Sequence, residues 1–250
     1  MSKHLIVSSD SHIIEPPDLW TSRLPTEFRE RGPKVIDIEG GQSWSIENIK
    51  ASSFSQGSMT GARFEDPEKM QDLVFEFDDV RPGGYIPEEH VKDLDIDGVD
   101  ISIIYATAGL LWYSWVVDSK LLSAIFSAYN DFCAEFCTAN PKRLKGIAFL
   151  NVDDVQDAVR ELERCAKMGM IGVAIPVFNE RMRYDMPEFD PLWAAAEANE
   201  MPISLHISTN RPSENNAELG RELFRTIGDV TNASDKTQPL FLQYLLVNGD

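Results

Sequence analysis

Lys145-Gly146-Ile147-Ala148-Phe149-Leu150 and Ile171-Gly172-Val173-Ala174-Ile175-Pro176 bracket a helical pattern that runs from Asp153 to Met168. Both apolar runs are short and unbroken, the signature of strands buried on two faces. Asp153 is a helix-capping residue type and Gly169 a helix-ending one. Strand, helix and strand in succession join parallel neighbours. The same alternation extends outward in both directions. Downstream, Asp190-Pro191 opens a helix through Asn199, and a strand follows at Pro202–Ile207. Upstream, Asp118 caps a helix over Ser119–Ala139, in which Leu122, Ile125, Phe126, Tyr129, Cys133 and Phe136 share one face and Pro141 ends the pattern. Ile101–Tyr105 reads as a strand, and Pro87-Glu88-Glu89 starts a helix that stops at Gly98. The first strand is Leu5–Ser9. The chain is expected to be one α/β domain over residues 1–250, with about five strand–helix units.

Residues 15–85 form a long excursion after the first strand, and connections of that length are usually functional. Within it, Lys34–Ile49 reads as a hairpin turning at Gly40-Gly41, and Ala51–Ala62 as a loop. Ser213–Asp250 reads as helical, above all Leu240–Val247, with no sixth strand after it.

The 250 residues are 43% hydrophobic, enough for a large core. A formal charge of −18 argues against nucleic acid or an anionic membrane surface as partner. Three cysteines, Cys133, Cys137 and Cys165, give an odd count that favours a reducing, cytoplasmic setting, and they read as core thiols. No signal-peptide run precedes the first strand, and no stretch reaches membrane-spanning length.

Asp10-Ser11-His12 follows the first apolar run directly. Alternation along a strand sends Asp10 and His12 to one side, where a carboxylate and an imidazole can grip a divalent ion. A lone pair of this kind is common, but His206 ends a second apolar strand in the same way. Oxygen and nitrogen donors without thiolates suit zinc or manganese. Asp93-Leu94-Asp95-Ile96-Asp97-Gly98 imitates the start of a calcium loop, but Ile104 stands where that loop needs a glutamate, so a helix is the better reading.

Together these segments resemble the amidohydrolase superfamily, in the branch of aminocarboxymuconate-semialdehyde decarboxylase and related aromatic-acid decarboxylases. The matching stretches are Ser9 to Trp20, Asp95 to Asp100, Ala128 to Phe132, Arg143 to Gly146, Gly172 to Pro176, Phe189 to Glu197, and Pro202 to Ile207. The resemblance implies a TIM-type (β/α)8 barrel, incomplete here, with its site at the C-terminal ends of the strands. It implies one divalent metal ion held by Asp10, His12 and His206. The family's strand-six histidine and strand-eight aspartate have no counterpart here, so a truncated chain is expected, with the acid/base group beyond Asp250. The implied activity is non-oxidative decarboxylation of an aromatic or unsaturated carboxylic acid. A hydrolase on the same scaffold and an inactive remnant are the alternatives, and a homodimer is implied for the full-length protein. Tyr105, Thr107, Asn151 and Asn179 follow strands and are expected to line the substrate pocket. Glu15 is read as orienting a ligand, and Asp18 as capping a turn around Trp20. Arg81 and Arg211 are read as carboxylate clamps or surface ion pairs, and His90 as a surface or capping residue. His4 belongs to the opposite rim.

Overall fold

The computed structural model describes residues 4–38, 41–53 and 76–219. Strand β1 spans Val7–Ile13, so the Asp10-Ser11-His12 motif lies within the strand and not after it as the sequence implied. Leu5 and Ile6 are exposed ahead of it, and the strand is anchored at its far end by fully buried Ile13. Two short helices follow, α1 (Leu19–Arg23) and α2 (Thr26–Arg29). Asp18 occupies the cap position of α1 but its side chain makes no capping hydrogen bond, contrary to expectation.

The excursion then builds an antiparallel sheet of β2 (Lys34–Ile38), β3 (Gly41–Ile46) and β4 (Ile49–Ser53). Gly40, half of the expected turn, lies outside the described residues. β4 takes up the start of the stretch expected to be a loop, and the rest of that stretch also lies outside them. The signal for β4 is Glu47-Asn48, both at positive φ (49° and 63°) between paired Ile46 and Ile49. That is a two-residue hairpin turn whose twist matches the strands. Trp44 of β3 meets Trp20 and Trp112 edge-to-face at 5.0 and 6.4 Å, fastening the small sheet to the main body.

Helix α3 (Pro87–Asp97) ends at Gly98 with φ +70°, and its Asp93 and Asp95 pair with Arg81 and Arg143. β5 (Ile101–Ala106) leads through a 3-10 turn, Ala108–Leu111, into α4 (Trp112–Trp115). α5 (Ser119–Cys137) is capped by Asp118, which accepts from the Lys120 and Leu121 amides. β6 (Leu144–Phe149) packs beneath α5, so closely that a Cβ on Gly146 would lie 2.8 Å from Cys133 Sγ. α6 (Val155–Lys167) is capped by Asp154 and not by Asp153, whose carboxylate is engaged elsewhere. β7 (Gly172–Asn179), α7 (Asp190–Ala198) and β8 (Ile203–Arg211) complete the series, and residues 214–219 are helical. The remainder of the expected C-terminal helix lies outside the described residues. Among those residues no helix is long and apolar enough to cross a membrane.

The five parallel strands lie in the order β1-β5-β6-β7-β8. Four spacings of about 4.8 Å would separate the outer strands of a flat sheet by about 19 Å. Instead, His206 on β8 comes within 3.2 Å of Asp10 on β1, and the Tyr105 hydroxyl of β5 reaches Ser204 Oγ of β8 at 2.9 Å. The sheet is therefore curled into a half-barrel, the incomplete TIM-type arrangement expected from the sequence.

Candidate metal centre

Both strands that deliver the expected ligands are irregular where they do so. On β1, Ser8 pairs with Ser102 but Ser11 with Ile104, leaving one extra residue in the Ser9-Asp10 stretch. On β8, Pro176 faces His206 whereas Phe178 faces Asn210, and Ser208 takes φ +69°. Thr209 Oγ1 donates to the His206 carbonyl and accepts from the Val177 amide, holding the distorted segment. These distortions re-aim side chains. Asp10 Oδ1 lies 3.2 Å from His12 Nε2 and 3.2 Å from His206 Nε2. The structure thus brings Asp10, His12 and His206 together, with one donor atom from each inside a 4.8 Å cluster. Their side chains are 60%, 33% and 10% exposed, so Asp10 forms the open side and His206 the buried wall.

The hydrogen bonds set the chemistry of this cluster. His12 Nδ1 lies 2.7 Å from the Ala106 carbonyl, and His206 Nδ1 lies 2.7 Å from the Ile207 carbonyl. A carbonyl oxygen only accepts, so each Nδ1 carries the proton and donates it. In a neutral imidazole the Nε2 atom is then a bare lone pair. Two such lone pairs and a carboxylate oxygen converge on one point, an arrangement that is repulsive unless a proton or a metal cation lies between them. A backbone carbonyl behind each histidine is also the usual outer partner of a metal-ligating imidazole. The donor set fits a divalent ion.

Around the cluster, Tyr105 packs its ring against both imidazoles, with centroids 6.1 Å from His12 and 5.2 Å from His206. A cleft of about 540 Å³ runs past His12, His206, Thr107 and Leu110 toward Arg81 and His90. Thr107 lines that cleft while its hydroxyl donates to the Ile13 carbonyl at 2.9 Å. Tyr105, Asn151 and Asn179, expected to line the pocket, are not among its lining residues. Asn151 donates to Ser119 and Ser123. Asn179 accepts from the Arg181 amide, and its own Nδ2 is buried with no partner among the described residues.

Partners decide the remaining expectations, and of these Arg81 alone keeps an expected role, the surface ion pair. His90 is half-buried, bridging the Gly83 carbonyl at 2.8 Å and Ser102 Oγ at 3.1 Å, and is neither a surface nor a capping group. Arg81 is held by Asp93. Arg211 is fully buried, with Nη2 at 2.5 Å from Asp153 Oδ2 and further bonds to the Tyr113 and Val116 carbonyls. Arg181 shares the same Asp153 oxygen at 2.8 Å. Burial pushes the Asp153 carboxyl up, but the two arginines hold it below the usual carboxylate range. This trio ties together the loops that leave β5, β6 and β7 and the end of β8. Glu15 touches neither histidine. It is fully buried and accepts from the Thr107, Ala108 and Gly109 amides at 3.1, 3.0 and 2.8 Å. Burial pushes its carboxyl up, against the pull of those amides.

A half-barrel of parallel strands with nitrogen and oxygen donors gathered at its C-terminal rim defines a (β/α)-barrel protein with a cradle for one cation. The amidohydrolase family model matches residues 85–247. Gamma-resorcylate decarboxylase of Polaromonas sp. (strain JS666) is 31% identical over 136 residues, which are 52% of this chain and 41% of that protein. 2-Amino-3-carboxymuconate-6-semialdehyde decarboxylase of Dictyostelium discoideum is 25% identical over 121 residues, 48% of this chain and 33% of that protein. A crystal structure of an amidohydrolase from Mycobacterium avium subsp. paratuberculosis K-10 shares the fold at TM-score 0.69 and 17% identity, covering 90% of this chain and 65% of that one. The chain belongs to the amidohydrolase family, in the branch of aminocarboxymuconate-semialdehyde decarboxylase and related aromatic-acid decarboxylases. It spans less than half the length of these two curated relatives.

Proposed function

We propose that this chain supplies the metal-binding part of a non-oxidative carboxy-lyase acting on an aromatic or unsaturated carboxylic acid. The observation behind the reading is the meeting of Asp10 Oδ1, His12 Nε2 and His206 Nε2 at the rim. Preference for a lyase over a hydrolase rests on the curated relatives, which are named as decarboxylases. A divalent ion, zinc or manganese, would supply Lewis-acid polarisation of substrate oxygens when bound. The chain's own residues do the rest of what it contributes. Asp10 adds negative charge that offsets the ion, and the two imidazoles hold it without adding charge. The cleft wall at Leu110 offers apolar surface to a planar ring and Thr107 borders the same space, while the buried Tyr105 ring backs the two imidazoles. Asn151 and Asn179 stay in the reading as rim residues whose side-chain oxygens are already committed to main-chain amides. A homodimer belongs to the same reading.

Cation binding tests the reading first, because it needs only the three donors. Calorimetric titration with manganese or zinc should show one site per chain, lost in His206→Ala. Carbon dioxide release is then measured across a panel of aromatic acids that includes gamma-resorcylate. Incorporation of labelled water oxygen into product, without carbon dioxide, would establish the hydrolase instead. Absence of a cation site would sink both.

A further inference from the structure

Glu15 is the deepest carboxylate near the centre, and both of its oxygens are spent on one turn. Oε1 accepts from the Thr107 and Gly109 amides and Oε2 from the Ala108 amide. Burying a carboxylate is expensive, and here it is offset by main-chain N–H groups at the start of a 3-10 turn. That turn begins two residues after Ala106, whose carbonyl receives the His12 Nδ1 proton. Thr107 Oγ1 ties the same turn back to the Ile13 carbonyl beside His12. The packing is tight: a Cβ on Gly109 would sit 2.7 Å from Ala106 Cβ and 3.2 Å from Glu15 Oε1.

We propose that Glu15 is a positioning residue for the cation centre: by holding the Thr107–Gly109 turn it keeps the Ala106 carbonyl on His12 Nδ1, and so leaves His12 Nε2 bare and aimed at Asp10 and His206. This role rests on the metal reading above. Glutamine at position 15 keeps the shape but turns one acceptor oxygen into a donor facing an N–H group, so the turn shifts and the Ala106 carbonyl moves with it.

Two readouts test the role in the whole chain. The first is the ring tautomer of His12 in the metal-free protein, read from nitrogen-15 spectra, which four histidines leave tractable. Wild type should show the proton on Nδ1, and Glu15→Gln a mixture. The second is titration with cobalt(II). Glu15→Gln should bind about 10–100-fold more weakly, the range for loss of an outer partner, with an altered visible spectrum. Gly109→Ala presses on the same turn while keeping the carboxylate. It should move both readouts in the same direction, and it decides the matter if Glu15→Gln does not fold. Asn130→Ala, which removes buried bonds to Phe149 away from the cleft, should lower the melting temperature and move neither. If Glu15→Gln and Gly109→Ala keep the wild-type tautomer, spectrum and affinity while melting earlier, Glu15 only supports the fold and the proposal is wrong. If wild type itself takes up no cobalt, the metal reading fails and the role falls with it, a result distinct from loss confined to the variants.

Discussion

Replacing Arg211 with methionine tests whether the rim is held by buried charge. In wild type the guanidinium bonds Asp153 through Nε, at 2.9 and 3.2 Å from its two oxygens, and through Nη2 at 2.5 Å, and reaches the carbonyls of Tyr113 at 3.0 Å and Val116 at 2.5 Å. Methionine fills much of the same volume and makes none of these bonds. Removing one member of a buried ion pair typically costs about 3–5 kcal/mol, because its partner is left stranded. Here Asp153 keeps Arg181 at 2.8 Å, so the low end, about 3 kcal/mol, applies. In a chain of this size each kcal/mol moves the melting temperature by about 2–4 °C, giving a drop of about 6–12 °C. Scanning calorimetry on Arg211→Met, Asp153→Asn and the double variant measures it. The double variant should cost at least about 2 kcal/mol less than the sum of the singles, because the fully buried Arg211 charge that Asp153→Asn strands is gone. A drop under 2 °C for Arg211→Met, or strictly additive singles, would refute the account of a mutually dependent trio.

Three further outcomes follow from the same structure. Asp153 has a lowered folded-state pKa, so its contribution is present above the ordinary value of 3.8 and is lost as pH falls through and below it. Melting temperature against pH should therefore fall less steeply below about pH 4 in Asp153→Asn than in wild type. Trp44→Ala should cost about 3–5 kcal/mol and change the near-ultraviolet circular dichroism, since it empties one side of the Trp20, Trp44 and Trp112 cluster. His206→Ala should abolish saturable manganese binding in calorimetry while leaving the melting temperature of the metal-free chain within about 2 °C, because deleting it also relieves the lone-pair crowding at Asp10.

The order of strands and helices was legible because each element carries its own signal. The apolar runs at 145–150 and 171–176, Asp118 before α5 and Gly98 after α3 act within a few residues of themselves. The three donors were legible for the same reason, each sitting in or at the end of a recognisable strand. What stayed hidden depends on partners distant in sequence. Asp153 and Asp154 are equally good caps by type. The structure gives the cap to Asp154 because Arg211 and Arg181, contributed by β8 and the loop after β7, claim Asp153. Arg211 passes for a surface residue until β8 is seen to carry it inward. Glu15 looks like a ligand neighbour because it is three positions from His12, yet its bonds go to a turn more than ninety residues away.

The two breaks in register within the large sheet bear on why the donors meet at all. Among the described strands, β5–β6 and β6–β7 pair without irregularity, while β1–β5 and β7–β8 each slip where a donor stands. Alternation alone places residues 10 and 12 on one side but about 6.6 Å apart along a regular strand. Their donor atoms are 3.2 Å apart, and the extra residue in β1 supplies the bend that brings them so close. On β8 the distortion follows His206 and returns the Ile207 carbonyl to its Nδ1, with Ser208 in a left-handed conformation that costs a residue with a Cβ of order 1 kcal/mol. A sheet optimised for stability alone would have kept both strands straight. Departures at these two positions, where the strands carrying Asp10, His12 and His206 differ from their regular neighbours, are what the proposed cation centre would demand of the backbone.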